Sequence, residues 1–272
     1  MIKIVFPEYK NAIVAEAIKE ATEKYPDFEA VTAESLEEAC SKVSRGEADA
    51  MIAGIDYTSR DVILACREQI GVRDTGKTEY SNVTGRPLKK TFSASFVLSK
   101  GERTIVLGDA AACKNPDEHM LYDIVLQTYE TAEAVLSEPP RVAMLSFSTL
   151  GSGGSDDSIN RIRNVVNRIH AEYPEIAIDG ELQLDAAINE EIGNKKAPGS
   201  TVAGRANVLI APDLNSGNIL YKAMEQFGGY VAAGPILQGF NSPVSDLSRG
   251  STKADIISVI DVELKLIKAQ ND

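Results

Sequence analysis

The residues with the most chemistry per position lie in Asp246-Leu-Ser248-Arg249-Gly250-Ser251-Thr252-Lys253-Ala254-Asp255, just before a helical pattern. Arg249 can neutralise a phosphate or polarise a carbonyl, Ser248 can donate a hydrogen bond to a developing oxyanion, and Asp255 can accept a proton. A structural account competes for Asp255. Thr252-x-x-Asp255 has capping-box spacing, and a carboxylate one turn into a helix is stabilised by the dipole, which makes it a weaker base.

A second stretch, Ser146-Phe-Ser148-Thr149-Leu150-Gly151-Ser152-Gly153-Gly154-Ser155-Asp156-Asp157, joins an expected strand to an expected helix. Glycines there can turn backbone N–H groups toward an anion, and hydroxyls can add donors. It is no complete nucleotide fingerprint, since Asp156 stands where G-x-G-x-x-G needs glycine and the Walker lysine is absent. The alternative is a flexible turn capped by Asp156 or Ser155. A third stretch runs from Lys195 to Asn218. Pro212 and Asp213 end a strand where ligands of open α/β sheets sit, Asn215 and Asn218 can fix polar substrate atoms or form turns, and Arg205 and Lys222 are binding candidates or surface charges.

These segments need a scaffold, and the pattern supplies one. Short apolar runs alternate with amphipathic stretches, the signature of an α/β protein with a mostly parallel sheet. The runs at 2–6, 50–53, 142–147, 176–178, 208–211 and 230–233 read as strands, and 91–98 with 104–107 as a hairpin. Helices are expected at 12–25, 35–45 (behind Ser35), 59–70, from Asn115-Pro-Asp117 to the prolines at 139 and 140, 157–172, 183–192, 218–227 and 253–268. Residues 71–90 read as loop. Pro139 and Pro140 are the best hinge candidate, which gives one domain from 1–139 plus 246–272 and a second from 140–245.

The chain has 272 residues, enough for two modest domains. Its 28 basic and 40 acidic residues give a net charge of −12, which argues against nucleic acid or anionic membrane as partners. Cys40, Cys66 and Cys113 form no C-x-x-C pair, so neither a disulfide framework nor a zinc site is expected and a reducing cytoplasm fits best. With only His119 and His170, no histidine-rich metal site is expected. No apolar run reaches membrane-spanning length, and the first is too short for a signal peptide.

The runs Val142–Thr149, Asp179–Ala187, Lys196-Ala-Pro, Val202–Val208, Pro212–Asn218, Tyr221-Lys222, Gly234–Gly239 and Pro243–Gly250 resemble phosphotransacetylases, in that family's order. Gly54, Thr58, Asp61, Gly71 and Asp109–Asp117 extend the likeness into the first half. The resemblance implies a two-domain fold like isocitrate and isopropylmalate dehydrogenases, with mostly parallel sheets and an interdomain cleft. It implies reversible transfer of an acetyl or other short acyl group between acyl phosphate and coenzyme A in a cytoplasmic homodimer. Coenzyme A would be a substrate, with inorganic phosphate the other product, no tightly bound cofactor and no metal. By motif position Asp255 would deprotonate the thiol, while Ser248 and Arg249 would orient acyl phosphate and stabilise the transition state. Ser148, Thr149, Gly151, Ser152, Gly153, Arg205, Asn215 and Asn218 would bind substrate.

Three departures remove positive charge the family commonly carries, at Leu64, Leu150 and Gln226, and Ser251 replaces a frequent cysteine. Arg60 and Arg67, each one turn from Leu64, are the natural substitutes. Other readings are a butyryl or branched-chain acyltransferase, a non-catalytic homologue that binds acyl phosphate or coenzyme A, and a nicotinamide-dependent dehydrogenase on the related fold.

Overall fold

The computed structural model describes residues 1–74 and 90–271, so most of the loop expected over 71–90 lies outside the described residues. By internal contacts the chain forms two compact units, 1–92 with 233–272, and 93–232.

The first unit begins as strict alternation: β1 (Ile2–Phe6), α1 (Ala12–Lys24), β2 (Phe28–Thr32), α2 (Leu36–Ser44), β3 (Ala50–Ala53) and α3 (Ser59–Gln69). Local side chains start the helices. Asn11 accepts from Ile13 N–H, Ser35 from Glu38 N–H, and Thr58 with Asp61 forms a full capping box. Helix α1 buries Val14, Ala17 and Ala21, the helical spacing expected from the sequence, and β3 is buried throughout.

The second unit contains β4 (Ser93–Lys100), β5 (Arg103–Gly108), α4 (Glu118–Val135), β6 (Arg141–Leu145), α5 (Asp157–Glu172), β7 (Ala177–Leu182), α6 (Leu184–Ile188), α7 (Glu190–Lys196), β8 (Val208–Ile210) and α8 (Leu214–Gln226). Its strands run in the order β4-β5-β8-β6-β7, with β4 antiparallel to β5 and the rest parallel. Leu107, Ala143, Leu182 and Leu209 lie in its apolar core.

The chain then completes the first unit with β9 (Val231–Gln238), which enters that unit at Ala233, then β10 (Val244–Asp246) and α9 (Lys253–Asn271). The first sheet has the order β2-β1-β3-β10-β9, with β10 parallel to β3 and antiparallel to β9. Helix α9 packs on α1, β3 and β10, and the Lys253–Glu20 and Lys268–Asp27 ion pairs border that contact.

These units differ from the division expected at 139/140 and 245/246. The hairpin β4–β5 pairs with β8, and α4 packs on β5, β8 and α5, so residues 93–139 belong with the second unit. Pro139 and Pro140 follow the end of α4 at Val135 and lie within the second unit. Helix α8 starts four residues earlier than expected because Asp213 caps it, accepting from Ser216 N–H. Strands β2 and β10 escaped the pattern, since β2 buries one residue of five and β10 has only three residues. Among the described residues, no helix is long and apolar enough to cross a membrane.

Candidate active site

In the first unit, β10 ends at Asp246 beside the end of β3, and the turn into α9 carries Ser248 and Arg249 at the carboxyl end of parallel strands, where open α/β sheets place ligands. Both residues are exposed. The turn is held by Ser251 N–H donating to Ser248 O at 2.9 Å and Gly250 N–H donating to Ser248 Oγ at 3.3 Å. Arg249 makes no ion pair among the described residues, which leaves its guanidinium available to an anion. Asp255 occupies the capping box that the spacing allowed. Its Oδ2 accepts from Thr252 N–H and Thr252 Oγ1, both at 2.8 Å, and Asp255 N–H returns to Thr252 Oγ1 at 3.3 Å. Oδ1 accepts no hydrogen bond among the described residues, so capping occupies one carboxylate oxygen and leaves the other open.

Two acidic residues beneath this turn were not singled out from the sequence. Glu8 is buried and its carboxylate collects the N–H groups of Gly54, Ile55, Asp56 and Tyr57 at 2.8, 3.2, 2.5 and 3.0 Å. The turn after β3 is thus a nest filled by the protein's own carboxylate. Asp246 is buried too, and its Oδ1 has no hydrogen-bond partner among the described residues. Burial pushes its carboxyl up to about 6, against the lowering hydrogen bond of Ser59 and with the Glu8 charge adding to the rise. A Cβ on Gly54, whose φ is +117°, would lie 2.5 Å from Asp246 Oδ1, so only glycine permits this approach.

In the second unit, Ser148 and Thr149 are buried and Gly151, Ser152 and Gly153 exposed, in the turn between β6 and α5. The expectation that this backbone presents free N–H groups to an anion is corrected here. Ser148 N–H donates to Ser146 Oγ, Thr149 N–H to Ser152 Oγ, Leu150 N–H to Glu181 O, Gly151 N–H to Glu181 Oε1 and Gly153 N–H to Ser148 Oγ. Ser152 and Gly154 N–H groups close local turns. The anion at this turn is Glu181. It is buried, accepts from Ser148 Oγ at 2.8 Å, and is gripped by Arg163 through Nε at 2.8 Å and Nη2 at 3.0 Å. Burial alone would raise the Glu181 carboxyl; Arg163, Gly151 N–H and Ser148 outweigh it and hold the group at about 2. Thr149 Oγ1 donates to Gln183 Oε1 at 3.2 Å, and Lys196 Nζ reaches the same oxygen at 3.0 Å and Asp185 at 2.8 Å.

The other expected binding residues divide. Asn218 donates to Ala110 O at 3.3 Å, and Asn215 is exposed; both follow the carboxyl end of β8. Arg205 does not join them. It precedes β8, at the amino ends of the parallel strands β5, β6 and β8, and pairs with Glu190 at 3.3 Å. The three uncharged replacements are all at the surface, with Leu64 41% and Leu150 48% exposed and Gln226 exposed. Leu150 takes a φ of 43°.

The family model described as phosphate acetyl/butaryl transferase matches residues 7–263. The chain belongs to that family. The phosphate acetyltransferase of Clostridium acetobutylicum is 40% identical over 231 residues, 83% of this chain and 65% of that protein. The phosphate acetyltransferase of Nitratidesulfovibrio vulgaris is also 40% identical, over 84% of this chain and 30% of that protein. The chain therefore spans less than two thirds of these relatives' length. A phosphotransacetylase from Streptococcus pyogenes superposes with a TM-score of 0.84 at 28% identity, over 100% of this chain and 94% of that one. The fold extends to dehydrogenases, as expected: a putative 4-hydroxythreonine-4-phosphate dehydrogenase from Salmonella typhimurium gives a TM-score of 0.52 at 11% identity, over 86% of this chain and 69% of that one.

Proposed function

We propose that this chain is a phosphate acyltransferase that moves an acetyl group, or another short acyl group, between acyl phosphate and coenzyme A. The observation that carries this reading is the β10–α9 turn, where Arg249 makes no ion pair among the described residues, Ser248 is exposed, and Asp255 keeps Oδ1 available while Oδ2 caps the helix. A thiol with a pKa near about 8.5 is only a few per cent thiolate at neutral pH, so a local base accelerates attack. Asp255 takes the thiol proton, and the sulfur forms a bond to the acyl carbon. Ser248 Oγ–H and the Arg249 guanidinium stabilise the oxyanion that develops on the carbonyl oxygen. The bond from the acyl carbon to the bridging oxygen then breaks, phosphate leaves with that oxygen and the electron pair, and the proton on Asp255 passes to solvent or phosphate. These residues need nothing beyond the two substrates for this step.

From the second unit, Thr149, Ser152, Asn215 and Asn218 are proposed substrate contacts through their side chains, and Ser148, Gly151 and Gly153 act by shaping the turn around Glu181. A homodimer is proposed on α8, which buries only Gly217 and leaves Ile219 68% and Phe227 93% exposed. Sedimentation of Phe227→Asp against the parent chain tests that assignment, and an unchanged dimer would remove α8 from the interface. We infer a cytoplasmic location from Cys40, Cys66 and Cys113, none of which forms a disulfide among the described residues.

The test is thioester absorbance with purified chain, coenzyme A and a panel of acetyl, propionyl, butyryl and branched acyl phosphates. Asp255→Asn is expected to lower turnover by roughly 10²-fold or more with modest change in coenzyme A binding. Asn still caps helices, so undiminished turnover in the folded variant would reduce Asp255 to its capping role.

A further inference from the structure

The second unit has a cavity at the pole opposite its candidate binding turns. It lies at the amino ends of β5, β6 and β8, has a volume of about 240 Å³, and is lined by Arg103, Arg141 and Arg205 together with Ile105 and Leu136. Strand β5, at ~3.3 Å per residue, separates this pole from the turns after β5, β6 and β8 by roughly 20 Å. In a chain of net charge −12, three arginines lining one cavity need an account.

Their partners differ in a telling way. Arg141 is a strut: Nε donates to Arg205 O at 2.6 Å, Nη1 to Pro139 O at 3.4 Å and Nη2 to Glu138 at 2.7 Å, and Asn207 Oδ1 fixes its backbone N–H at 2.6 Å. Arg205 is held only by Glu190, at 3.3 Å, with both side chains more than half exposed, a pairing that a better anion readily displaces. Arg103 is exposed and has no ion pair or side-chain hydrogen bond among the described residues. Glu102 and Glu138 also line the cavity, but Glu138 is engaged by Arg141. The cavity lining therefore includes one arginine with no ion pair among the described residues and one weakly paired, beside a third that is held in place, with Ile105 and Leu136 as its apolar part.

The geometry points to a second ligand site here, for a small organic dianion whose charged ends pair with Arg103 and Arg205 while its short carbon body rests on Ile105 and Leu136. Planar guanidinium forks favour carboxylate and phosphate oxygens alike. At ~30 Å³ per water the cavity holds about eight waters, which sets the ligand at roughly ten non-hydrogen atoms. This inference does not depend on the acyltransferase reading.

Isothermal titration of the full chain at low ionic strength, with succinate and 3-phosphoglycerate as separate probes, tests it. One saturable event per chain is expected for at least one probe; which of them binds tells a dicarboxylate site from a phosphate ester site. Arg103→Ala and Arg205→Ala should each weaken that event at least tenfold, and Arg249→Ala should leave it intact. Both cavity residues are exposed, so their variants should fold, and melting curves verify this. No saturable binding of either probe, parent-like titration of both cavity variants, or loss of binding in Arg249→Ala would each overturn the assignment.

Discussion

Glu263 makes the stability of the first unit depend on pH in a direction opposite to that of most carboxylates. It sits on α9, fully buried, with Oε1 accepting from Ser245 Oγ and Oε2 without a hydrogen-bond partner among the described residues. Burial pushes its carboxyl up to about 8, against the lowering effect of that hydrogen bond. The unfolded chain releases this proton near the ordinary value of 4.5, and the folded chain holds it to about 8. Between those values the folded state binds more protons, so stability is full below 4.5 and falls until the pH exceeds about 8. At about 1.4 kcal/mol per pH unit, the interval from 4.5 to about 8 corresponds to a ceiling of ~5 kcal/mol, lowered by whatever water or rearrangement relieves the buried charge. Urea denaturation of the parent and Glu263→Gln at pH 5, 6, 7, 8 and 9 reads it directly. Asp246, raised by burial as well, is common to both proteins and cancels in the comparison. The Gln variant should be about as stable as the parent at pH 5 and more stable by several kcal/mol at pH 9. A difference between the two that stays constant from pH 5 to 9 would refute the reasoning.

Three further outcomes are expected. Glu181→Gln should destabilise the second unit by about 1–3 kcal/mol at neutral pH, since it removes the charge shared by Arg163, Ser148 and Gly151 N–H. Because the folded Glu181 carboxyl is depressed to about 2, that contribution is present above 4.5 and disappears as pH falls through about 2, so the two proteins should converge in acid melts. Gly54→Ala should cost about 3 kcal/mol or more, from a positive φ and Cβ contacts of 2.5–2.6 Å with Asp246 and Leu247, and a parent-like melting temperature would show that the turn adapts. Removing both Arg60 and Arg67 should raise a Michaelis constant for acyl phosphate or coenzyme A about tenfold if they replace the charge missing at Leu64. Parent-like saturation curves in the double variant would end that explanation.

What the sequence determines by itself is what a few adjacent residues settle. Ser35, Asp117 and Asp156 mark helix starts because an N-cap bonds N–H groups two or three positions away, and α5 spans the expected residues 157–172. The Thr252–Asp255 box was legible for the same reason. The ordered motifs also pointed to the Ser248–Arg249 turn. Tertiary structure alone decided where the remaining charges go. Glu8 meets the Gly54–Tyr57 N–H groups across more than 45 residues, and Glu181 meets Gly151 from 30 residues away, so a turn that reads locally as an open anion nest is already filled. Arg205 reads as a binding residue until strand direction puts it at the amino ends of β5, β6 and β8, opposite Asn215 and Asn218. Strand β10 is too short to show a periodicity, and is ordered by pairing with β3 from a distant part of the chain and with β9 just before it. Local hydrogen bonds are written in spacing; the partner of a buried carboxylate is chosen by which strands end side by side, and spacing does not carry that information.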